Sequence, residues 1–319
     1  MRRYDLEGQQ HNREALLARL AEIELRDPSR EHLYALAELA YVDAKRAERT
    51  RDAGGALELY GASVLYAYQY LFTDKYADAS NPYDPQFRRG CDLYNAALES
   101  TLRLIQHEGD LGPGKRQLIR TPNHDCHLEV VLKSDGWHAD DFDHVEFVSD
   151  YEVHGLRNHY HNFGLGVPLV AVRRHHEDED PREQYYPPDL SFPVTAFLRI
   201  ENGDQNLLRA TYETASVDGS RGKRDSLPSR ENLRAVLELR DPLEDTTVEV
   251  AGQRIPLETD LSTPLAHFLS QPALDDTRVS TLGLLKPEKV KQLTGLYMLE
   301  PFRADKIPVL MVHGLWSSP

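Results

Sequence analysis

The sequence predicts a mixed fold, of the α+β or α/β class, made of three successive parts. These are a helical amino-terminal segment (1–110), a β-rich middle segment (111–261) and the first, incomplete strands of a further α/β sheet (262–319). Three observations predict this order. Apolar residues recur at helical spacing in the first third, short runs of β-prone residues follow from residue 116, and a continuous apolar run stands at 307–312. With 319 residues, 40% of them hydrophobic, the chain can form a core for about two domains.

The amino-terminal segment contains four predicted helices. Pro28 cannot continue the first helix, and Ser29 is placed to cap the second. The third helix, at 56–72, is too short and too polar to span a membrane. The fourth runs roughly over 87–106 and ends before a glycine-rich linker. Helices of this kind would also suit a helical-repeat-like binding or scaffold protein.

The middle and final segments read as short strands separated by turns. The composition of these runs is typical of strands, and the last run is apolar throughout, as in a strand buried on both faces of a mostly parallel sheet. Two short helices interrupt the final segment, at 263–269 and 287–294. The predicted strands cover 117–119, 127–132, 145–148, 167–172, 192–200, 207–214, 248–250, 296–300 and 307–312.

Charge and composition exclude several classes of partner. The formal net charge is −15 and the pI is about 5.4, so the chain repels nucleic-acid phosphates, and no nucleic-acid partner is expected. The two cysteines, Cys91 and Cys126, exclude a disulfide-built scaffold. No signal peptide or membrane-spanning segment is visible in the sequence. The expected location is therefore cytoplasmic by default, and membrane association stays open.

Two motifs in the first half of the chain are weak candidates for a ligand site. Residues 109–115 match the phosphate-loop spacing G-x-x-x-x-G-K, but they follow a helix and lack the serine or threonine that binds Mg²⁺. In a strand, His124 and Cys126 would face one side while Asp125 and His127 face the other, so the four cannot converge on one ion. We therefore expect no metal and no cofactor, with a histidine-rich metalloprotein as an alternative.

The strongest motif follows the last apolar run. Residues 308–312 lead directly into His313, Gly314, Leu315 and Trp316. This sequence resembles the loop between the third strand and the first helix of α/β-hydrolases, the family of many esterases and lipases. The resemblance implies that Leu315 supplies an oxyanion-hole amide while His313 and Gly314 shape the turn. It also implies an ester or lipid-like small-molecule substrate.

The catalytic nucleophile of such a hydrolase is missing from the sequence. None of the sixteen serines has glycine at both the second position before it and the second position after it, as the G-x-S-x-G elbow requires. In this family the serine, the acid and the histidine all follow the oxyanion loop, so we expect the triad beyond Pro319. The sequence thus predicts the amino-terminal part of a serine hydrolase, lacking catalytic residues of its own and inactive alone.

Overall fold

The computed structural model describes most of the chain, in ten stretches. Within them, four helices precede a six-stranded sheet, two small β-ribbons and a fifth helix. The α+β class, the helical amino-terminal segment and the β-rich middle segment are therefore confirmed. The exact boundaries between the three predicted parts stay a prediction. The described residues are 13–73, 85–109, 111–122, 124–154, 156–176, 181–187, 189–201, 231–270, 298–304 and 306–307.

The four predicted helices are present. Ser29 occupies the position before α2 as expected, but its hydroxyl donates to the Glu31 carboxylate and makes no capping bond to the backbone. Asp52 does cap α3, because its side chain accepts the Gly55 amide at 3.0 Å. Within the described part of the chain, no helix is both long and apolar enough to cross a membrane. The helices are α1 (Arg13–Arg26), α2 (Arg30–Arg49), α3 (Ala53–Phe72) and α4 (Pro85–Glu108).

The main sheet has the strand order β1-β2-β7-β6-β5-β3. All neighbouring pairs are antiparallel except β2 and β7, which run parallel with His124 opposite Glu231. The six strands are β1 (Arg116–Arg120), β2 (His124–Lys133), β3 (Phe142–Phe147), β5 (Val167–Arg173), β6 (Ser191–Ile200) and β7 (Glu231–Arg240).

The expected strands omit β7, although it lies near the centre of the sheet. Its residues are mostly helix formers, yet Leu233, Ala235, Leu237 and Leu239 alternate along it and are all buried. Burial of every second residue is the pattern typical of a strand. Burial between β2 and β6 thus outweighs the local helical preference.

The rest of the described middle segment forms two ribbons and a helix. One ribbon pairs β8 (Thr247–Val250) with β9 (Gln253–Pro256), and the other pairs β4 (His161–Asn162) with β10 (Thr259–Asp260). Helix α5 (Ser262–Leu269) confirms the helix expected at 263–269.

The carboxy-terminal strand predictions have mixed outcomes. The strand expected at 296–300 is wrong for residues 298–300, which form an irregular bend. Residues 207–214, 287–294 and 308–312, where two strands and a helix are predicted, lie outside the described residues. The opening strands of a separate α/β sheet therefore stay a prediction.

Helices α3 and α4 pack on the sheet and share its hydrophobic core. The Tyr94 ring of α4 lies 6.2 Å from the Phe197 ring of β6, centroid to centroid. At the edge of the sheet, the Gln106 side-chain amide donates to the Val145 carbonyl of β3 at 2.6 Å. This bond occupies a backbone group on an edge strand, where open groups could otherwise pair with another chain.

Candidate functional site

The three predicted oxyanion-loop residues, His313, Gly314 and Leu315, lie outside the described residues. The described segment before them, 298–304, is fixed to the sheet domain at two points. The Met298 amide donates to the Tyr185 carbonyl at 2.7 Å, and Arg303 pairs with Glu244 at 3.1 Å. The chain leading towards the motif is thus held beside the end of the sheet where β5 stops and β6 begins.

The histidine and cysteine candidates form no metal centre among the residues that the structure describes. As expected for a strand, His124 and Cys126 are buried on one face of β2, while His127 is exposed on the other. Burial raises the pKa of both Cys91 and Cys126 to about 12. These thiols stay protonated near neutral pH, so neither is a ready nucleophile.

A groove of about 990 Å³ opens at the end of the sheet where β5 stops and β6 begins. It is formed by three stretches of chain that lie far apart in sequence: the turn before β3, the connection from β5 to β6, and the segment at 298–302. Its volume is at the upper end of the range for small-molecule sites. The lining residues are Asp135, Gly136, His138, Asp140, Asp141, Arg173, His176, Arg182, Tyr185, Tyr186, Met298, Pro301 and Phe302.

A buried ion pair supports the floor of this groove. Arg173, the last residue of β5, is 5% exposed and makes two hydrogen bonds to Glu183, whose side chain is 4% exposed. Asp141 approaches the same guanidinium at 3.5 Å, and the Tyr186 ring lies 4.1 Å from it. The connection from β5 to β6 that contains Glu183 is rich in acidic residues and proline, yet this carboxylate is inside the protein.

The pKa shifts of the pair follow from this geometry. The hydrogen bond from Arg173 lowers the pKa of Glu183, and burial opposes that effect without reversing it. Burial lowers the pKa of Arg173, but the bond and charge of Glu183 outweigh it, so its pKa rises. Both groups are therefore ionised, and removing one would leave an uncompensated buried charge, which costs about 3–5 kcal/mol.

The walls of the groove differ in chemistry. Asp135 and Asp140 are exposed, and neither carboxylate pairs with a basic side chain among the described residues. Tyr185 is 41% exposed and Phe302 is 78% exposed. The groove thus combines an acidic wall, formed by Asp135 and Asp140, with an aromatic wall, formed by Tyr185 and Phe302.

A second polar cluster joins a serine, a histidine and a carboxylate. Ser191 Oγ lies 3.0 Å from His267 Nδ1, and His267 Nε2 lies 3.4 Å from Glu146. Ser191 is 6% exposed, and its hydroxyl donates to the Pro264 carbonyl at 2.8 Å. In this arrangement the Ser191 hydroxyl directs its proton at that carbonyl and not at Nδ1. His267 is therefore not placed to act as the base that activates Ser191.

This cluster instead anchors α5 to the sheet. Glu146 on β3 also accepts from Tyr151, and His144 Nε2 lies 3.3 Å from it. Burial and the Glu146 carboxylate raise the pKa of Tyr151 to about 12, so the phenol stays a donor. The bonds connect β3, β6 and α5.

Neither polar cluster has a sequence motif, because their members come from separate segments of the chain. The one local signal is Arg173, a charged residue directly after the apolar run 167–172. Such a charge needs a partner, but spacing alone does not identify Glu183. Comparison with known proteins adds nothing to this assignment: no protein family, no curated protein and no solved structure matches the chain.

Proposed function

We propose that this chain is part of a serine hydrolase that cleaves ester or lipid-like acyl substrates, and that His313, Gly314 and Leu315 form its oxyanion loop. The observation that carries the proposal is the apolar run at 308–312 leading directly into His-Gly-Leu-Trp. During acyl transfer the carbonyl oxygen becomes negative. A backbone N–H directed at that oxygen lowers the barrier by about 3–4 kcal/mol.

The proposal places the nucleophile outside these 319 residues. No serine stands in a G-x-S-x-G elbow. Two other candidate serines are buried and have other partners: Ser191 donates to the Pro264 carbonyl, and Ser63 donates to the Ala37 carbonyl at 2.8 Å. The contribution of this chain is therefore the oxyanion amide and not the attacking group.

The 319-residue chain itself gives the first test. We expect a fluorophosphonate probe to label none of its serines and a nitrophenyl ester to be hydrolysed no faster than in buffer. A labelled Ser191 would contradict the assignment of the nucleophile. The coding sequence that follows gives the second test, since a G-x-S-x-G motif is expected within about 60–100 residues if the fold keeps its usual element lengths. Its absence would reject the hydrolase proposal.

Where a polypeptide carries both the loop and the elbow, the amide can be tested directly. Leu315→Pro removes the backbone N–H and should lower kcat by about 10²–10³-fold. Leu315→Ala changes the same side chain but keeps the amide, so it should retain activity within a few fold. Equal losses in the two variants would show that the side chain matters and the amide does not.

A binding or scaffold function of the helical segment is the alternative. A substantial part of its apolar surface is already used inside the chain: a methyl group added at Gly61 of α3 would lie 3.2 Å from Thr121 and 3.3 Å from Ile119. The helices therefore serve the sheet core. Under this alternative, the isolated chain would capture a protein partner through the outer faces of α1 and α2.

A further inference from the structure

We propose that the groove between Asp140 and Phe302 binds a small organic cation, such as a quaternary or primary ammonium attached to a compact apolar body. This inference is independent of the hydrolase proposal, since it rests only on described residues. It uses the two walls defined above and the buried Arg173–Glu183 pair beneath them.

The charges around the groove favour a cation over an anion. Arg173 is its most buried basic group, but both of its terminal nitrogens are already bonded to Glu183, and Asp141 approaches one of them. Its remaining Nε is buried without a hydrogen-bond partner, so a ligand in the groove cannot reach it. The guanidinium is thus unavailable to a phosphate or carboxylate ligand.

Among the described residues that line the groove, carboxylates outnumber guanidinium groups: Asp135, Asp140 and Asp141 stand against Arg173 and Arg182. The charge of Arg173 is in addition neutralised by the buried Glu183. The whole chain adds a field of the same sign, with its net charge of −15. Such a field raises the local concentration of cations in a concave site. Asp135 and Asp140 are exposed and can accept an ammonium ligand without first breaking an ion pair.

The aromatic wall suits the apolar side of the same ligand. The faces of tyrosine and phenylalanine rings attract cations, and this attraction supports recognition of quaternary ammonium groups. Phe302 and Tyr185 are among the exposed large apolar side chains of the described chain. Tyr185 is held in place through its backbone, because its carbonyl accepts the Met298 amide and its own amide donates to the Arg182 carbonyl. The two segments that carry the aromatic rings are thus linked to each other before any ligand arrives.

Titration of the 319-residue chain with choline tests the proposal. Calorimetry or ligand-observed NMR at about pH 8, where histidines of ordinary pKa are neutral, should show saturable binding at millimolar concentrations. The neutral isostere dimethylbutanol has the same shape without the charge and should bind at least about five-fold more weakly. Added salt should weaken choline binding and leave the isostere unaffected.

Three variants locate the site. Asp135→Asn and Asp140→Asn should each weaken choline binding by about two- to five-fold, as expected for exposed charge pairs. Phe302→Leu should weaken it by a similar factor because the ring face is lost. Glu152→Gln is the matched control: it removes one negative charge from a side chain that is 86% exposed and does not line the groove. Its affinity for choline should equal that of the unmodified chain.

The outcomes are decisive in both directions. Charge-selective binding that is weakened by the groove variants and not by Glu152→Gln supports the site. No choline binding at millimolar concentrations overturns it. So does equal binding of choline and dimethylbutanol, which would make the groove a purely apolar site. A third overturning result is an equal loss in Glu152→Gln, because choline would then respond to net charge alone.

Discussion

The hydroxyl of Tyr94 replaces a missing strand partner, and its removal should destabilise the protein. Strand β5 begins with Val167 opposite Ala196, so β6 continues past the end of its neighbour. Two residues further along, the Tyr94 hydroxyl donates to the Leu198 carbonyl at 3.0 Å and accepts the Leu198 amide at 3.1 Å. Burial raises the pKa of Tyr94 well above its usual value, so the phenol is always available to donate.

The expected cost follows from the two backbone groups that Tyr94→Phe would orphan. Tyr94 is fully buried, and both bonds are inside the protein, so no solvent takes the place of the hydroxyl. An unsatisfied buried donor or acceptor costs about 1–3 kcal/mol. Allowing for relaxation and for the easier burial of phenylalanine, we expect the free energy of unfolding to fall by about 2–4 kcal/mol.

Urea unfolding of the 319-residue chain measures this loss, with Tyr60→Phe as the matched control. The Tyr60 hydroxyl donates to Glu48 at 2.7 Å, and the Glu48 side chain is 49% exposed, so water can satisfy that carboxylate. The control should therefore cost only about 0.5–1.5 kcal/mol. If Tyr94→Phe costs no more than Tyr60→Phe, the hydroxyl does not replace a strand partner and the reasoning is wrong.

Two further substitutions test backbone conformation and a buried carboxyl. Gly166 has φ +111°, and an added Cβ would lie 2.7 Å from the Thr195 methyl group, so Gly166→Ala should lower the free energy of unfolding by about 2–3 kcal/mol. Gly114 has φ +83° and no atom within 4 Å of an added Cβ, so the control Gly114→Ala should lower it by only about 1 kcal/mol. Equal losses in urea unfolding would contradict the steric argument. Burial raises the pKa of Asp241 to about 6, so this carboxyl keeps its proton to a higher pH in the native state than in the unfolded state. The native state therefore loses stability as the pH rises from about 4 to about 6. Asp241→Asn keeps an acceptor for the Leu243 amide and cannot ionise, so its stability relative to the unmodified chain should rise by about 1–3 kcal/mol across that pH window. A stability difference that does not change with pH would refute the assignment.

Local pattern was sufficient to predict the helices and most of the described strands. Helix α4 was expected over 87–106 and spans Pro85–Glu108. Strand β6 was expected over 192–200 and spans Ser191–Ile200. In both, the spacing of apolar residues reflects the face that is buried. Strand β7 was missed even though its alternation is present, because its leucine, alanine, glutamate and arginine residues also favour helices.

The sequence by itself determined the helices and most of the described strands, since a buried face imposes its period on the residues that supply it. It also contains the His-Gly motif on which the hydrolase proposal depends. Only the tertiary structure decided that β7 lies between β2 and β6, that Glu183 pairs with Arg173 inside the protein, and that Asp140 and Phe302 line one groove. The physical reason is that each of these contacts joins residues from separate segments. Its free energy depends on burial and on the partner charge, neither of which is encoded by local spacing.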